Sequence, residues 1–287
     1  MKAKLLEGKL LGDRIKEELK KEIERLSSSP TLAAVQVGDN FATEIYLKAQ
    51  KKTAEGLGIN YRLFKLKTTA SERELMGLIE ELNQDSSIQG IIVQMPLPPQ
   101  IERQKIIKGV SVLKDVEGMH PENLGYIILG KPRFLPCTAE AVFELVKSTN
   151  INLYGKEVVI VGHSEIVGKP LSLIFLNEFS TVTVCHIGTS EAGHLEEHVK
   201  RAEILIVAVG KAGLIKGDWI KEEAIVIDVG INKLGDKIVG DVEFAGASER
   251  ASFITPVPGG VGPLTVTMLM RNLIKAAKLQ QIKEDEF

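Results

Sequence analysis

The chain is poor in the residues that staple or metallate small folds. Cys137 and Cys185 are its only cysteines among 287 residues, and without CxxC spacing they exclude a disulfide framework and a cysteine-based zinc site. The five histidines, His120, His163, His186, His194 and His198, form no HExxH pattern. His194 and His198 stand four apart, which reads as a solvated helix face, so no metal is expected. Long apolar runs are missing too. Nothing approaches the roughly 20 residues of a membrane-spanning helix, and the opening MKAKLLEGKLLGDR carries charges every few residues with no apolar signal core. A cytoplasmic protein with no membrane partner is expected. Blocks of one charge are also absent: 36 basic residues face 38 acidic ones, for a net charge of −2. That leaves no basic stripe for nucleic acid.

Glycine and proline, by contrast, are concentrated in two segments. Residues 255–265 read TPVPGGVGPLT. Pro256, Pro258 and Pro263 fix φ and remove backbone donors, while Gly259, Gly260 and Gly262 let a ligand approach the main chain. Taken alone, the segment reads better as a tight connector. The second segment, GHSEIVG at 162–168, directly follows the apolar run Val158, Val159, Ile160, Val161. A strand, a glycine turn and then a helix is how α/β folds hold nucleotides.

The length accommodates two domains, each with its own core. Leu11, Ile15, Leu19, Ile23 and Leu26 make one apolar helix face. A strand at 32–37 ends at Gly38-Asp39-Asn40, a turn and helix cap, and a helix from about 42 to 56 is stopped by Gly58. A strand at 61–66, a helix at 71–82 and a strand at 90–94 complete a βαβαβ unit. The polar, turn-rich 114–125 places a domain crossing there or a little later. A helix at about 138–148 then leads to apolar strands at 158–161, 181–185, 204–209 and 224–229, with helices after the first two. Such strands imply a parallel sheet covered on both faces. Val266, Leu269, Met270, Leu273, Ile274 and Ala277 form a terminal helix face expected to pack back on the first domain.

In a dinucleotide fold the first glycine permits the turn out of the strand, and Gly162 fits that role. The pattern here is GxSxxxG, with Ser164 in place of the usual second glycine and Gly168 displaced by one. The end of the next strand should carry an acid that reads the NAD ribose or a base that reads the NADP phosphate. It carries Cys185, His186, Ile187, Gly188 and Thr189, so NAD and NADP both remain open.

The segments VGDN followed by a helix bearing Tyr46, GIIVQMPLP, KDVEGMHPENLG, PCT, GHSEIVGKP, VIDVGIN and TPVPGGVGP occur in this order. Through them the chain resembles the bifunctional methylenetetrahydrofolate dehydrogenase/methenyltetrahydrofolate cyclohydrolase family over nearly its whole length. The resemblance implies an α/β protein of two domains acting in one-carbon metabolism. A folate-binding βαβ domain would span 1–135 plus a returning helix at about 264–280, and a Rossmann domain 136–263. The active site would lie in the cleft between them, usually in a homodimer. Tyr46 would stack on the aminobenzoyl ring of the tetrahydrofolate substrate, Gln94 would hydrogen-bond near the one-carbon unit, and Pro258 and Gly259 would line the folate by backbone contact. Gly162, His163, Ser164, Ile187 and Ile231 would lie along NAD or NADP.

Three departures from the family pattern carry consequences. The family helix bears Tyr-x-x-x-Lys, with both residues on one face, and here the fourth position is Gln50. The family lysine is the ionisable group of the hydrolytic step. A carboxamide cannot move a proton near neutral pH, which forfeits a general acid/base contribution of ~10² to 10⁴ in rate. Lys48, Lys51 and Lys52 point elsewhere, Lys51 being about 100° away around the helix. Glu117 stands where the family has aspartate, keeping the charge expected to hold the pterin. His163 and Ile187 replace an arginine and a serine at the NADP 2′-phosphate. Hydride transfer needs no proton carrier. The expectation is therefore a methylenetetrahydrofolate dehydrogenase with weak or absent cyclohydrolase activity. Its rivals are the full bifunctional enzyme, a silent folate- or nucleotide-binding protein, and a generic Rossmann dehydrogenase.

Overall fold

The computed structural model describes residues 2–285. In chain order they form β1 (Lys4–Leu5), α1 (Gly8–Ile23), β2 (Thr31–Val37), α2 (Phe41–Gly56), β3 (Asn60–Leu66), α3 (Glu72–Gln84), β4 (Gly90–Val93), α4 (Arg103–Gly109), α5 (Pro121–Ile128) and α6 (Cys137–Lys147). Then follow β5 (Glu157–Val161), α7 (Gly168–Asn177), β6 (Thr181–Cys185), α8 (Ile187–Glu191), α9 (Leu195–Arg201), β7 (Ile204–Val207), β8 (Ile225–Asp228), β9 (Asn232–Leu234), β10 (Lys237–Val239), α10 (Phe244–Arg250), β11 (Phe253–Ile254) and α11 (Val261–Asp285). The chain divides into two compact units. One holds Arg14–Cys137 and the chain from Val266 onward, and the other holds the residues up to Asp13 and Thr138–Thr265.

The first unit is built on a three-stranded parallel sheet in the order β3-β2-β4. Every residue of the central strand β2 is buried. Its Ala33, Val35 and Val37 pack with Leu75, Ile79 and Ile106 on one face of the sheet. Each such large side chain, fully buried, stabilises the unit by roughly 1.5–3 kcal/mol. Local signals set the helix starts. Asn40 Oδ1 accepts from the Thr43 N–H at 3.2 Å. Ser71 Oγ accepts from Glu74 N while Glu74 Oε2 accepts from Ser71 N, a reciprocal capping box for α3. Gly58, at φ +74°, turns the chain after α2. The part of α11 from Val266 onward belongs to this unit, as its apolar face predicted: Met268, Leu269, Met270, Leu273 and Ile274 are buried. Asn272 Nδ2 donates to the Val116 and Leu135 carbonyls at 2.9 and 3.0 Å, and Gln280 Nε2 to those of Gln89 and Leu113 at 2.8 and 3.1 Å.

The second unit carries a six-stranded sheet in the order β1-β11-β8-β7-β5-β6, parallel throughout. Its residues Val159, Val161, Leu205, Val207 and Val226 are buried against Leu195, Val199 and Ala247. The remaining strands, β9 and β10, form an antiparallel hairpin.

One part of the sequence reading needs correction. The first domain was expected to begin at residue 1, yet the residues up to Asp13 group with the six-stranded unit. The cause is edge pairing: β1 lies parallel to β11, Leu6 N donates to Ile254 O at 2.9 Å, and Gly8 N donates to Gly259 O at 3.0 Å. A two-residue strand has no period to read. The crossing expected at 114–125 or a little later falls at the later position, after Cys137.

Candidate active site

On α2, Thr43, Leu47, Gln50 and Ala54 recur at helical spacing and are all buried, so this face turns into the unit. Gln50 is 0% exposed. Its Oε1 accepts from Tyr61 Oη at 3.1 Å and from Gln94 Nε2 at 3.3 Å, while its Nε2 has no hydrogen-bond partner. Tyr61 stands on β3. Gln94 follows β4 directly, where its own N–H donates to Val35 O at 2.8 Å. Two strand ends and one helix face therefore converge on a single carboxamide. Tyr46, one turn before Gln50, is half-buried. Burial raises its phenol above the ordinary range, the neighbouring Cys137 and Glu117 acids add to the rise, and the Gln50 amide beside it pulls the other way. Burial likewise raises the Tyr61 phenol. Both therefore stay protonated near neutral pH. Lys48, Lys51 and Lys52 are exposed, and Lys51 pairs with Glu55 at 3.8 Å.

Glu117 sits in a loop tied down on every side. Asp115 accepts from Met119 N, His120 N and Asn123 Nδ2 at 3.2, 2.7 and 2.8 Å. Lys114 Nζ donates to the Leu82 and Asp85 carbonyls at 3.0 and 2.8 Å. Gly118 adopts φ +73°, and a Cβ there would meet the Leu135 carbonyl carbon at 2.6 Å. Burial, reinforced by the Asp115 charge, pushes the Glu117 carboxyl up to about 7 against the pull of Arg103. It is thus a carboxyl that titrates near neutral pH. Pro258 and Gly259 belong to the other unit: Pro258 is exposed after a cis Val257–Pro258 bond, and Gly259 adopts φ +113°.

The glycine turn after β5 has the tight geometry that the sequence predicts. Gly162 adopts φ +124°, and a Cβ on it would run into the Ala208 carbonyl. A Cβ on Gly168 would run into the Gly162 carbonyl. Ser164 closes the turn, its Oγ accepting from Val167 N at 3.1 Å and its carbonyl from Lys169 N at 3.0 Å. Gly162, His163, Ser164 and Ile187 line one cavity of about 350 Å³, together with His186 and Lys211. The His163 and His186 rings lie 5.3 Å apart. No carboxylate lines this cavity among the described residues. It has the concave, mainly apolar walls and close backbone approach that a dinucleotide needs. Ile231 does not line it and is 69% exposed between β8 and β9.

Three polar residues escaped the sequence reading: Tyr61, Asp228 and Asp241. Asp241 accepts from the backbone N–H groups of Val209, Gly210 and Lys211 at 2.7, 3.0 and 2.8 Å and from Asn232 Nδ2 at 2.8 Å. It thereby holds the loop that carries Val209 and Lys211 into the cavity wall. Asp228 accepts from Gly230, Asp241 and Val242 N–H at 3.0, 3.0 and 2.9 Å. Burial pushes the Asp228 carboxyl up to about 6, with Asp241 adding to the rise, despite those three donors. Aspartates interrupting VIDVG and GDVEF were the available signal, since a charge among buried apolar neighbours needs partners.

Known proteins match this architecture along the chain. Residues 6–117 match the tetrahydrofolate dehydrogenase/cyclohydrolase catalytic domain, and residues 136–281 match the NAD(P)-binding domain of the same family. The Bacillus subtilis bifunctional protein FolD is 49% identical over 282 residues, covering 97% of this chain and 99% of that protein. The bifunctional FolD methylenetetrahydrofolate dehydrogenase/cyclohydrolase of Campylobacter jejuni superimposes with a TM-score of 0.93 at 45% identity, over 97% of this chain and 99% of that one. The Trypanosoma brucei enzyme, solved with NADP and an inhibitor, gives 0.93 at 33% identity over 98% and 99%. This chain belongs to the tetrahydrofolate dehydrogenase/cyclohydrolase family.

Proposed function

We propose that this chain oxidises 5,10-methylenetetrahydrofolate to 5,10-methenyltetrahydrofolate with NAD(P)⁺, and that its hydrolysis of the methenyl product is weak or absent. The observation that carries the proposal is Gln50, a neutral carboxamide with no exposed surface where the family pattern has lysine. The bound nicotinamide supplies hydride acceptance, so the protein's task in this step is to hold the folate carbon in range and exclude water. Tyr46 stacks on the aminobenzoyl ring, Gln94 hydrogen-bonds near the one-carbon unit, and Glu117 in its ionised form holds the pterin N–H groups. Gly162, His163, Ser164 and Ile187 take the dinucleotide. NADP is the preferred nucleotide, because the cavity wall offers His163, His186 and Lys211 to a phosphate and no acid to a free ribose hydroxyl. The reading extends to a cytoplasmic homodimer, whose mass in solution would be twice that of the chain.

Hydrolysis asks more of the protein, because water must lose a proton as it adds to the methenyl carbon and the ring nitrogen must then gain one. Neither Gln50 nor the protonated Tyr46 and Tyr61 can accept that first proton. One observation favours a second reading, the full bifunctional enzyme: Glu117, pushed up to about 7, could serve as the proton carrier.

The test mixes purified protein with methylenetetrahydrofolate and NAD⁺ or NADP⁺, following reduced nicotinamide and methenyl-folate separately. Methenyl product that decays only at its uncatalysed rate supports the proposal. Fast decay that Glu117→Gln abolishes supports the bifunctional reading, and absence of reduced nicotinamide with both nucleotides overturns both. Gln50→Lys should accelerate methenyl hydrolysis by ~10²-fold or more. An unchanged rate would show that the missing proton carrier lies elsewhere.

A further inference from the structure

A polar cavity of about 460 Å³ opens into the first unit at the end of its sheet opposite Gln94. Pro30 and Gln89 line it just before β2 and β4 begin, whereas Gln94 stands where β4 has ended. The exposed Ser27, Ser28 and Ser86 form its rim, and Lys114, only 7% exposed, forms its floor. The amides of the wall are engaged with the backbone. Asn83 Nδ2 donates to Gly109 O at 2.7 Å, Gln89 Nε2 to Ser86 O at 2.8 Å, and Gln280 Nε2 to the Gln89 and Leu113 carbonyls. The Lys114 ammonium is engaged only in part. It donates to the Leu82 and Asp85 carbonyls at the end of α3, and an ammonium carries three N–H groups. Burial lowers it from the ordinary lysine range, which the Asp85 charge offsets only in part. The Asp85 carboxylate itself is turned to Ser87, whose N–H and Oγ donate to it at 2.8 and 2.6 Å. Among the described residues no carboxylate lines the cavity. Capping α3 therefore accounts for two of the three N–H groups and supplies no counter-charge, although a buried charge is costly unless it is paired.

We propose that this cavity binds a tetrahedral oxyanion of the phosphate class, held from the floor by the Lys114 ammonium and from the rim by the hydroxyls of Ser27, Ser28 and Ser86. Ser27 Oγ accepts from Gln281 Nε2, so its own proton is available to a ligand. The other two hydroxyls rotate to donate in the same way. One cation and three hydroxyl donors arriving from α3, from the loop after α1 and from Lys114 surround an anion on several sides, which suits a tetrahedral group better than a planar carboxylate. The site lies apart from Gln94 and from the nucleotide cavity and stands independently of the folate-dehydrogenase reading. An anion held there would brace the loop in which both Lys114 and Glu117 lie.

The test titrates the full chain with inorganic phosphate by calorimetry at constant ionic strength, beside glycerol phosphate as a monoester and acetate as a planar anion. Phosphate should bind saturably, with a Kd on the order of 1 mM. Lys114→Met should weaken it about tenfold or more, and so should Ser28→Glu, which sets a carboxylate on the exposed rim. Thermal unfolding checks that each variant folds. His163→Ala, in the nucleotide cavity, should leave the phosphate affinity within about twofold. A monoester that binds more tightly than phosphate makes an organic phosphate the source, and one that binds no better makes it the free ion. Absence of saturation below about 20 mM would overturn the proposal. So would acetate binding as well as phosphate, or phosphate affinity that falls in His163→Ala and not in the Lys114 and Ser28 variants. Should Lys114→Met fail to fold, Ser28→Glu decides the question.

Discussion

Two buried polar centres, one in each unit, stand in different states of completion. Around Asp241 and Asp228 every donor is placed: four N–H groups converge on one carboxylate and three on the other. Gly230 and Gly240 stand so close that a Cβ on either would strike a carboxylate. Around Gln50 one acceptor is doubly used and one donor is unspent. The first centre is finished without a ligand and serves to hold the loop at 209–211 and the β9–β10 hairpin. The second keeps a buried amine outside that pair of hydrogen bonds. A fully satisfied polar network rigidifies a fold, while a partly satisfied one marks a place where something else is expected.

Breaking the aspartate centre should have the largest effect. Asp241→Ala orphans four donors and should cost about 3 kcal/mol, lowering the thermal midpoint by roughly 6–12 °C and raising the nucleotide KM as the cavity loop loosens. A midpoint within about 2 °C of the parent's would mean that those donors find other partners. Gln50→Met makes the contrasting measurement. It strands the Tyr61 hydroxyl but removes an amine that already had no acceptor, so denaturant titration should show a loss of only about 1 kcal/mol. A loss as large as that of Asp241→Ala would erase the distinction between the two centres.

A third measurement compares the carboxyls themselves. Asp228 is raised from 3.8 to about 6 and Glu117 from 4.5 to about 7. Both therefore bind their protons more tightly in the folded chain than in the unfolded one. Their contribution to stability is fully present below the unfolded values and is lost as pH rises through about 6 and then about 7. Midpoints measured from pH 4 to 8 should show this component declining over two overlapping ranges, with an upper step between about pH 6 and 7 that belongs to Glu117 and that Glu117→Gln should remove. If the upper step survives in Glu117→Gln, another group is its source.

Much of this architecture is legible from local chemistry. Asn40 and the Ser71–Glu74 pair announce helix starts because their side chains satisfy N–H groups within three residues of themselves. The apolar runs that became β2, β5 and β7 are buried on both faces and read as such. Tyr46 and Gln50 share a helix neighbourhood by spacing alone, and the glycines at 162 and 168 sit at backbone contacts that a Cβ would block. The departures at Gln50 and Glu117 are also sequence facts, and the structure adds that one is sealed from solvent and the other titrates near 7. Local pattern said nothing of β1 and β11, two residues each, whose pairing moves the chain's first segment into the six-stranded unit. Nor does spacing show that Ile231 lies off the cavity wall.

What the sequence determined by itself was the alternation of strands and helices, the two glycine turns, the returning face of α11 and the family. All of these rest on interactions within a few residues or on periodicity along one element. Tertiary structure alone decided which polar atoms meet. Tyr61 reaches Gln50 across α2 and β3, and Asp241 gathers Val209, Gly210 and Lys211 from the loop after β7 and Asn232 from the start of β9. A hydrogen bond depends on distances of a few tenths of an ångström between groups far apart in the chain. That precision exists only after the sheets have brought their strand ends together.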